Sequence, residues 1–289
     1  MVATSAPRFA FREGIPMWRL VSSVVIVLIV NGSALAAVVD VVTCDQEIPD
    51  RATGVVQRDL TCPAGQALSL GSGATLDLAG RSVTGLGGGI VIDVDSPGRH
   101  TIKGPGQLVN VTVSCGAGFS YRRDLRLTSV SIVPTSFAGC QCEGGNPEPN
   151  RITVRDVQIT GPSSFGLIGQ RVRATRLTIA GSTDMALLAD DLRATDVSIV
   201  GTGGRAVWAT GGLPQRVALR RADIRDNAGA GVSGVRVSVR RSTVTGNGLG
   251  EPGFEWDIGT SEQPRVASTT CDRSRRYGSA STWEVCALD

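Results

Sequence analysis

The chain has 289 residues, of which 41% are hydrophobic but only 4% aromatic and 19% charged, with a formal net charge of +3. So few rings leave no interleaving of aromatic with basic residues, the pattern that grips single-stranded nucleic acid, so no nucleic-acid partner is expected. A single histidine, His100, beside seven cysteines argues against a Cys/His zinc site, and no metal is assigned.

The N-terminus reads as a targeting segment. Arg8, Arg12 and Arg19 precede an apolar run from Leu20 to Val30, and Ala34-Leu35-Ala36 supplies a small-x-small cleavage site. The run is shorter than the roughly 20 residues that a membrane span needs. Residues 1–36 are therefore assigned to a signal peptide, and no integral membrane segment is expected after cleavage. The mature chain is expected to be secreted, periplasmic or held at the cell surface.

Export makes the cysteines legible as staples. Cys44 with Cys62 ties a lead-in over residues 37–67, and Cys271 with Cys286 ties the tail. Each loop size corresponds to about 3 kcal/mol in the chain-entropy view of disulfides. Cys115 pairs with Cys140 or Cys142, which leaves one thiol over. From Leu68 onward short rungs begin, the clearest at Leu125, Leu127, Val130 and Ile132; a Gly/Pro/Glu insertion then loops out from Cys140 to Asn150. Within this region Pro97-Gly98-Arg99-His100 reads as a turn with a solvated histidine.

Arg151 to Asn247 repeats itself in rungs of twenty, one of them lengthened by five residues at Gly211 to Gln215. Ile152, Val172, Leu192, Val217 and Val237 form one column, and Val154, Ala174, Ala194, Leu219 and Val239 a second. Val157, Leu177, Val197, Ala222 and Ser242 form a third, and Ile159, Ile179, Ile199, Ile224 and Val244 a fourth. Leu167, Leu187, Val207 and Val232 continue inward, beside the small Gly169, Ala189, Ala209 and Gly234. Spacing by two is the strand period, and self-similarity near twenty residues marks a solenoid. Gly161, Gly181, Gly201 and Gly246 supply turns, with Asp226 and Asn227 substituting in one rung. Asn227 and Asn247, one rung apart, are placed to form a hydrogen-bonded ladder. The predicted fold is all-β: a single-domain, monomeric, right-handed parallel β-helix over residues 68–247, the hand following parallel crossovers in general. A cap over residues 248–289 covers the open end.

The stretches "RDNAGAGVSGVRVSVRRSTVTGN" and "DLTCPAGQALSLGSGATLDLAGRSVTG" resemble the repeats and opening rungs of pectate-lyase-like exported bacterial proteins, over roughly residues 44–250. The resemblance implies the fold. For activity it implies a range, from lyases, epimerases and hydrolases to tailspikes and adhesins. A lyase of this kind would use carboxylates to hold Ca2+ and an Arg or Lys as base. Asp93 and Asp95 alternate with Val94, share a strand face and are the candidates for that role; the plain alternative is two solvated turn carboxylates. The "DPH" signature expected of a mannuronan epimerase and the "NTD" and "GHG" motifs of a polygalacturonase are missing from the chain. Asp190 and Asp191, being adjacent, point to opposite sides.

Charge is unevenly placed: residues 151–245 carry +7, while 37–150 and the tail each carry −3. Outward positions of the regular rungs hold Arg151, Arg171, Arg216 and Arg236, with Asp191 as the exception; then Arg155, Arg220 and Arg240; then Arg173 and Arg193. Guanidiniums stacked about 5 Å apart suit a chain of carboxylates or sulfates. The plain alternative is a solvated basic face, since Lys103 is the only lysine and arginine is this chain's default cation. Asp156, Asp196 and Asp223 stand ready to neutralise part of the wall. Ile168, Leu188 and Trp208 form an outward apolar strip that serves either as a platform for sugar faces or as packing for the segment around Phe254 and Trp256. The reading drawn from the sequence is a non-catalytic factor that contacts anionic polysaccharide through Arg151, Arg155, Arg171, Arg173, Arg193, Arg220, Arg240 and Trp208. Its rival is a divergent lyase or epimerase.

Overall fold

The computed structural model describes residues 37–289 apart from 64–66, 87–89, 94–96, 116–122, 135–137, 143–149, 211–214 and 251. The signal peptide assigned to 1–36, Asp95 and most of the Cys140 to Asn150 insertion lie outside the described residues. Those that are described contain strands and turns, and no helix long and apolar enough to cross a membrane.

The chain winds as a parallel β-helix with three faces. On the first face Val38–Val41 pairs with Thr53–Val56, and the ladder continues through Thr75–Asp77, Gly98–Lys103 and Arg123–Thr128 into the regular rungs. There Arg151 stands opposite Arg171, Arg171 opposite Asp191, Asp191 opposite Arg216, and Arg216 opposite Arg236. Every pairing is parallel and each rung stacks like on like. The columns read from the sequence are the bore: Ile152, Val172, Leu192 and Val217 are fully buried, and their partners along each strand nearly so. Each such side chain removed from water contributes about 1.5–3 kcal/mol. The small column has a steric cause, because a Cβ on Gly169 would fall 2.7 Å from Ile152 Cδ1.

Strands Phe165–Ala180 and Met185–Val200 run through all three faces with only corners between them. The corner joining the first and second faces takes one residue per rung, in the left-handed region: Ser129, Asp156, Arg176, Asp196, Arg221, Arg241 and Ser268 have φ between 51° and 57°. None is glycine, although this region disfavours a Cβ. Their side chains form a ladder of their own. Arg176 forks onto the Asp156 carboxylate of the preceding rung, and Arg221 forks onto Asp196 at 2.5 and 2.7 Å. The sequence reading placed its turns at glycines and did not find this corner. Those glycines bend elsewhere, and Asp226, at φ 55°, takes the left-handed position that Gly181, Gly201 and Gly246 occupy in other rungs.

The asparagine ladder is present and longer than expected. Thr202 N and Oγ1 both donate to Asn227 Oδ1 at 2.9 Å. Asn227 Nδ2 donates to Asn247 Oδ1 at 2.7 Å, and Asn247 Nδ2 donates to Asp257 Oδ1 at 2.8 Å. The other Asp257 oxygen accepts from the backbone N–H groups of Asp272 and Arg273. All four side chains are buried, so each link must be satisfied. Burial pushes the Asp257 carboxyl up, while the bonds from Asn247 and the backbone oppose it.

Two expectations are revised. The lead-in and the tail carry rungs of their own, because Val41, Ile48 and Val56 at one end and Ile258 and Cys271 at the other enter the bore by the same alternation. Ile258–Thr260, Arg265–Ala267, Thr270–Cys271 and Ser274–Arg276 each extend a face. The terminal segment then closes over the last rung, with Ala287 N donating to Cys271 O and Leu288 N to Asp272 O. The second revision concerns His100, which is fully buried in the bore, in register with Leu125. Gly98 starts the strand Gly98–Lys103, so the turn ends before the histidine. The bonds Cys44–Cys62 and Cys271–Cys286 are formed, with Cα separations of 5.5 and 5.0 Å. Cys115 is also disulfide-bonded; the expected choice between Cys140 and Cys142 lies outside the described side chains.

Asn227→Ala removes the middle of a buried ladder and is expected to cost about 1–3 kcal/mol in urea unfolding. His100 carries a second prediction. Burial, then the Arg123 charge, hold its pKa below the ordinary value, against the opposing pull of Asp50 and the Gly71 backbone. The folded chain therefore binds fewer protons than the unfolded one. Stability from this group is complete above the ordinary value of about 6.5 and declines as pH falls below it, by at most about 1.4 kcal/mol per pH unit. Unfolding midpoints measured from pH 7 to pH 5 should show this slope in the parent chain and a flatter one in His100→Leu.

Candidate functional site

The first face is the chemically distinctive one. Its inward residues are held in the bore, so strict alternation turns the residues between them to solvent in three columns. The first holds Arg151, Arg171, Asp191, Arg216 and Arg236; the second Thr153, Arg173, Arg193, Ala218 and Ser238; the third Arg155, Thr175, Thr195, Arg220 and Arg240. The latter two columns border a shallow concavity of about 500 Å³. Arg155, Arg173, Arg193, Arg220 and Arg240 stand around it, and Thr175, Thr195 and Ala218 form part of its floor.

The local carboxylates are unequally shared among these arginines. Arg173, half-buried, donates to Asp191 Oδ2 at 3.1 Å. Arg236 pairs with Glu262, and Arg225 with Asp223 on the second face. Arg155 lies 3.7 Å from Asp156, but that carboxylate is already forked by Arg176. Among the described residues Arg193, Arg220 and Arg240 are exposed and make no ion pair. The acids foreseen as neutralisers thus engage the corner and the second face more than the concavity. The sequence reading also passed over Arg126 and Arg265, which the register places in the second column at either end. Irregular rung lengths on both sides hid them, although Leu125 and Leu127 flank Arg126 in the pattern of Ile152 and Val154.

The remaining candidates sit apart. Trp208 is on the third face, in register with Leu188 and Ser233. The Arg205 guanidinium lies 3.9 Å from the Trp208 ring centre and 3.6 Å from that of Phe254. Phe254 in turn meets Trp256 at 5.3 Å, and Trp256 meets Tyr277 edge-on at 6.0 Å. Within the apolar strip Ile168 is buried, while Leu188 and Trp208 are half-buried. The segment around Phe254 thus reaches the strip through an arginine sandwiched between two rings.

For acid–base chemistry the groups offer little. Asp93 ends a strand, its backbone opposite Ser69 and Ser114, and its intended neighbour Asp95 is outside the described residues. A second concavity of about 480 Å³ includes Asp156, Arg176 and Asp196. Hydrogen bonds from Arg176 and Arg221 hold both carboxyls below their ordinary range, which is opposite to what a general acid requires. Among the described residues no group of three or more His, Cys, Asp or Glu side chains could hold a metal ion. No family model, curated protein or solved structure matches this chain.

Replacing Arg205 with alanine removes the cation from between Trp208 and Phe254. The expected cost is about 1–2 kcal/mol in denaturant unfolding, with earlier protease cleavage between residues 249 and 256 than in the parent chain.

Proposed function

We propose that the protein is an exported, non-catalytic factor that binds acidic polysaccharide on its first face. One observation carries this reading. Arg193, Arg220 and Arg240 are exposed beside a shallow concavity and, among the described residues, make no ion pair, although the chain has 26 acidic residues to offer. A merely solvated basic face is normally interspersed with acids, as the Asp156–Arg176 and Asp196–Arg221 corner is. Guanidinium forks match carboxylate and sulfate oxygens in two parallel hydrogen bonds. Threonine and alanine between the arginines leave room for sugar rings. The disulfide-bonded cysteines Cys44, Cys62, Cys115, Cys271 and Cys286 fit an oxidising compartment, where such polymers are met.

The test is native electrophoresis of the mature chain through gels containing alginate, pectate, a sulfated glycan or neutral glucan, with and without calcium, while absorbance of unsaturated uronate is followed. Retardation in acidic gels alone, without new absorbance and abolished in Arg155→Ser/Arg220→Ser/Arg240→Ser, is expected. No retardation in any gel would reduce the face to solvated charge. New absorbance would make the chain a lyase and redirect attention to Asp93 and Asp95.

A further inference from the structure

The second and third outward columns of the first face are complementary. In register, the second reads Arg126, Thr153, Arg173, Arg193, Ala218, Ser238, Arg265, and the third Thr128, Arg155, Thr175, Thr195, Arg220, Arg240, Ala267. Wherever one column holds arginine, the other holds threonine, serine or alanine. The seven successive rungs therefore present one guanidinium each in these columns, never two and never none. Random placement of solubilising arginines would double some rungs and skip others. Stacking fixes the axial step at about 4.8 Å, so the series spans about 29 Å. The small neighbour in each rung keeps an open path beside the cation, and that path shifts from side to side along the axis.

Resting on the binding proposed above, we infer that this ladder is a ruler for charge spacing: its ligand is a linear glycan with one carboxylate on every sugar, laid along the solenoid axis, one sugar to a rung. Such a polymer repeats its charge at a step of the same order as a rung. A chain charged on alternate sugars engages every second arginine and leaves the intervening ones unmatched. A densely sulfated chain offers more charge per step than one guanidinium can fork. Length is read as well, since a chain of seven sugars occupies Arg126 through Arg265, and at the next rung the cation is Lys103, already held by Asp77 at 2.8 Å.

The experiment measures affinities for purified oligouronates of two to twelve sugars by titration calorimetry. A glycan with uronic acid on alternate sugars, matched for total charge, serves as comparison. Affinity is expected to rise about threefold per added sugar, to level off near seven, and to be at least about tenfold weaker for the alternating chain. Arg193→Gln, an exposed change in the middle of the series, should stop the rise at about three sugars, because three arginines remain on either side. Arg216→Gln, in the first column, should leave the length profile unchanged. Affinity that tracks total charge whatever its spacing, or that levels off at the same length in Arg193→Gln, would overturn the ruler while leaving acidic-glycan binding intact. Absence of binding by every acidic oligomer would overturn both.

Discussion

Everything in this molecule depends on the parallel hydrogen-bonded register between successive rungs. Once the residue at Ile152 is set opposite Val172, and Val172 opposite Leu192, alternation decides the side of every neighbour. A slip by one residue would turn a column of branched aliphatics to water and carry arginines into the bore. No partial solution is stable, which is why a core built with so few aromatic residues can still specify one structure. The same constraint multiplies whatever stands outside the bore. A single outward arginine becomes a line of them at the rung step, and a turn residue becomes a ladder.

Ladders at two corners illustrate how polar side chains share that constraint. Thr202, Asn227, Asn247 and Asp257 are buried and linked rung to rung, so each amide satisfies its neighbour without solvent. The opposite solution is the exposed corner of Asp156, Arg176, Asp196 and Arg221. There alternating charges are forked in pairs, and Arg241 continues the series in the next rung. Both devices consume polar groups inside the protein. The first face does so only in part: Arg173 and Arg236 are paired, but among the described residues Arg193, Arg220 and Arg240 stand exposed without an ion pair beside small residues, and that difference in pairing, more than the net charge of +3, sets it apart.

Columns with a clean period of two and a rung near twenty were legible from residue order alone, as were the Asn227–Asn247 pair and the two terminal disulfides. Where the rung length changes, legibility fails. From Val239 to its partner Val266 the chain runs well past the regular step, so rungs in the tail looked like a cap, and Arg265 went unnoticed. His100 was misjudged because Pro97 and Gly98 are turn residues, and nothing local reveals that the strand begins at Gly98. The non-glycine corner was hidden for a related reason. Arg176 carries no sequence mark of a left-handed backbone and Asp156 and Asp196 only a weak one; stacking and the forked Asp–Arg pairs hold them there. Separation of Trp208 from the arginines likewise follows from which face each strand occupies, which a linear pattern does not display.

The most direct measurement is of the guanidinium Nε–H resonances, recorded by NMR with and without a saturating seven-sugar uronan. Shifts confined to Arg126, Arg155, Arg173, Arg193, Arg220, Arg240 and Arg265, with Arg176, Arg221 and Arg225 unmoved in their internal ion pairs, are expected of a ligand lying along the first face. Shifts spread over arginines of all three faces, or centred on Arg205 and the aromatic cluster, would contradict it.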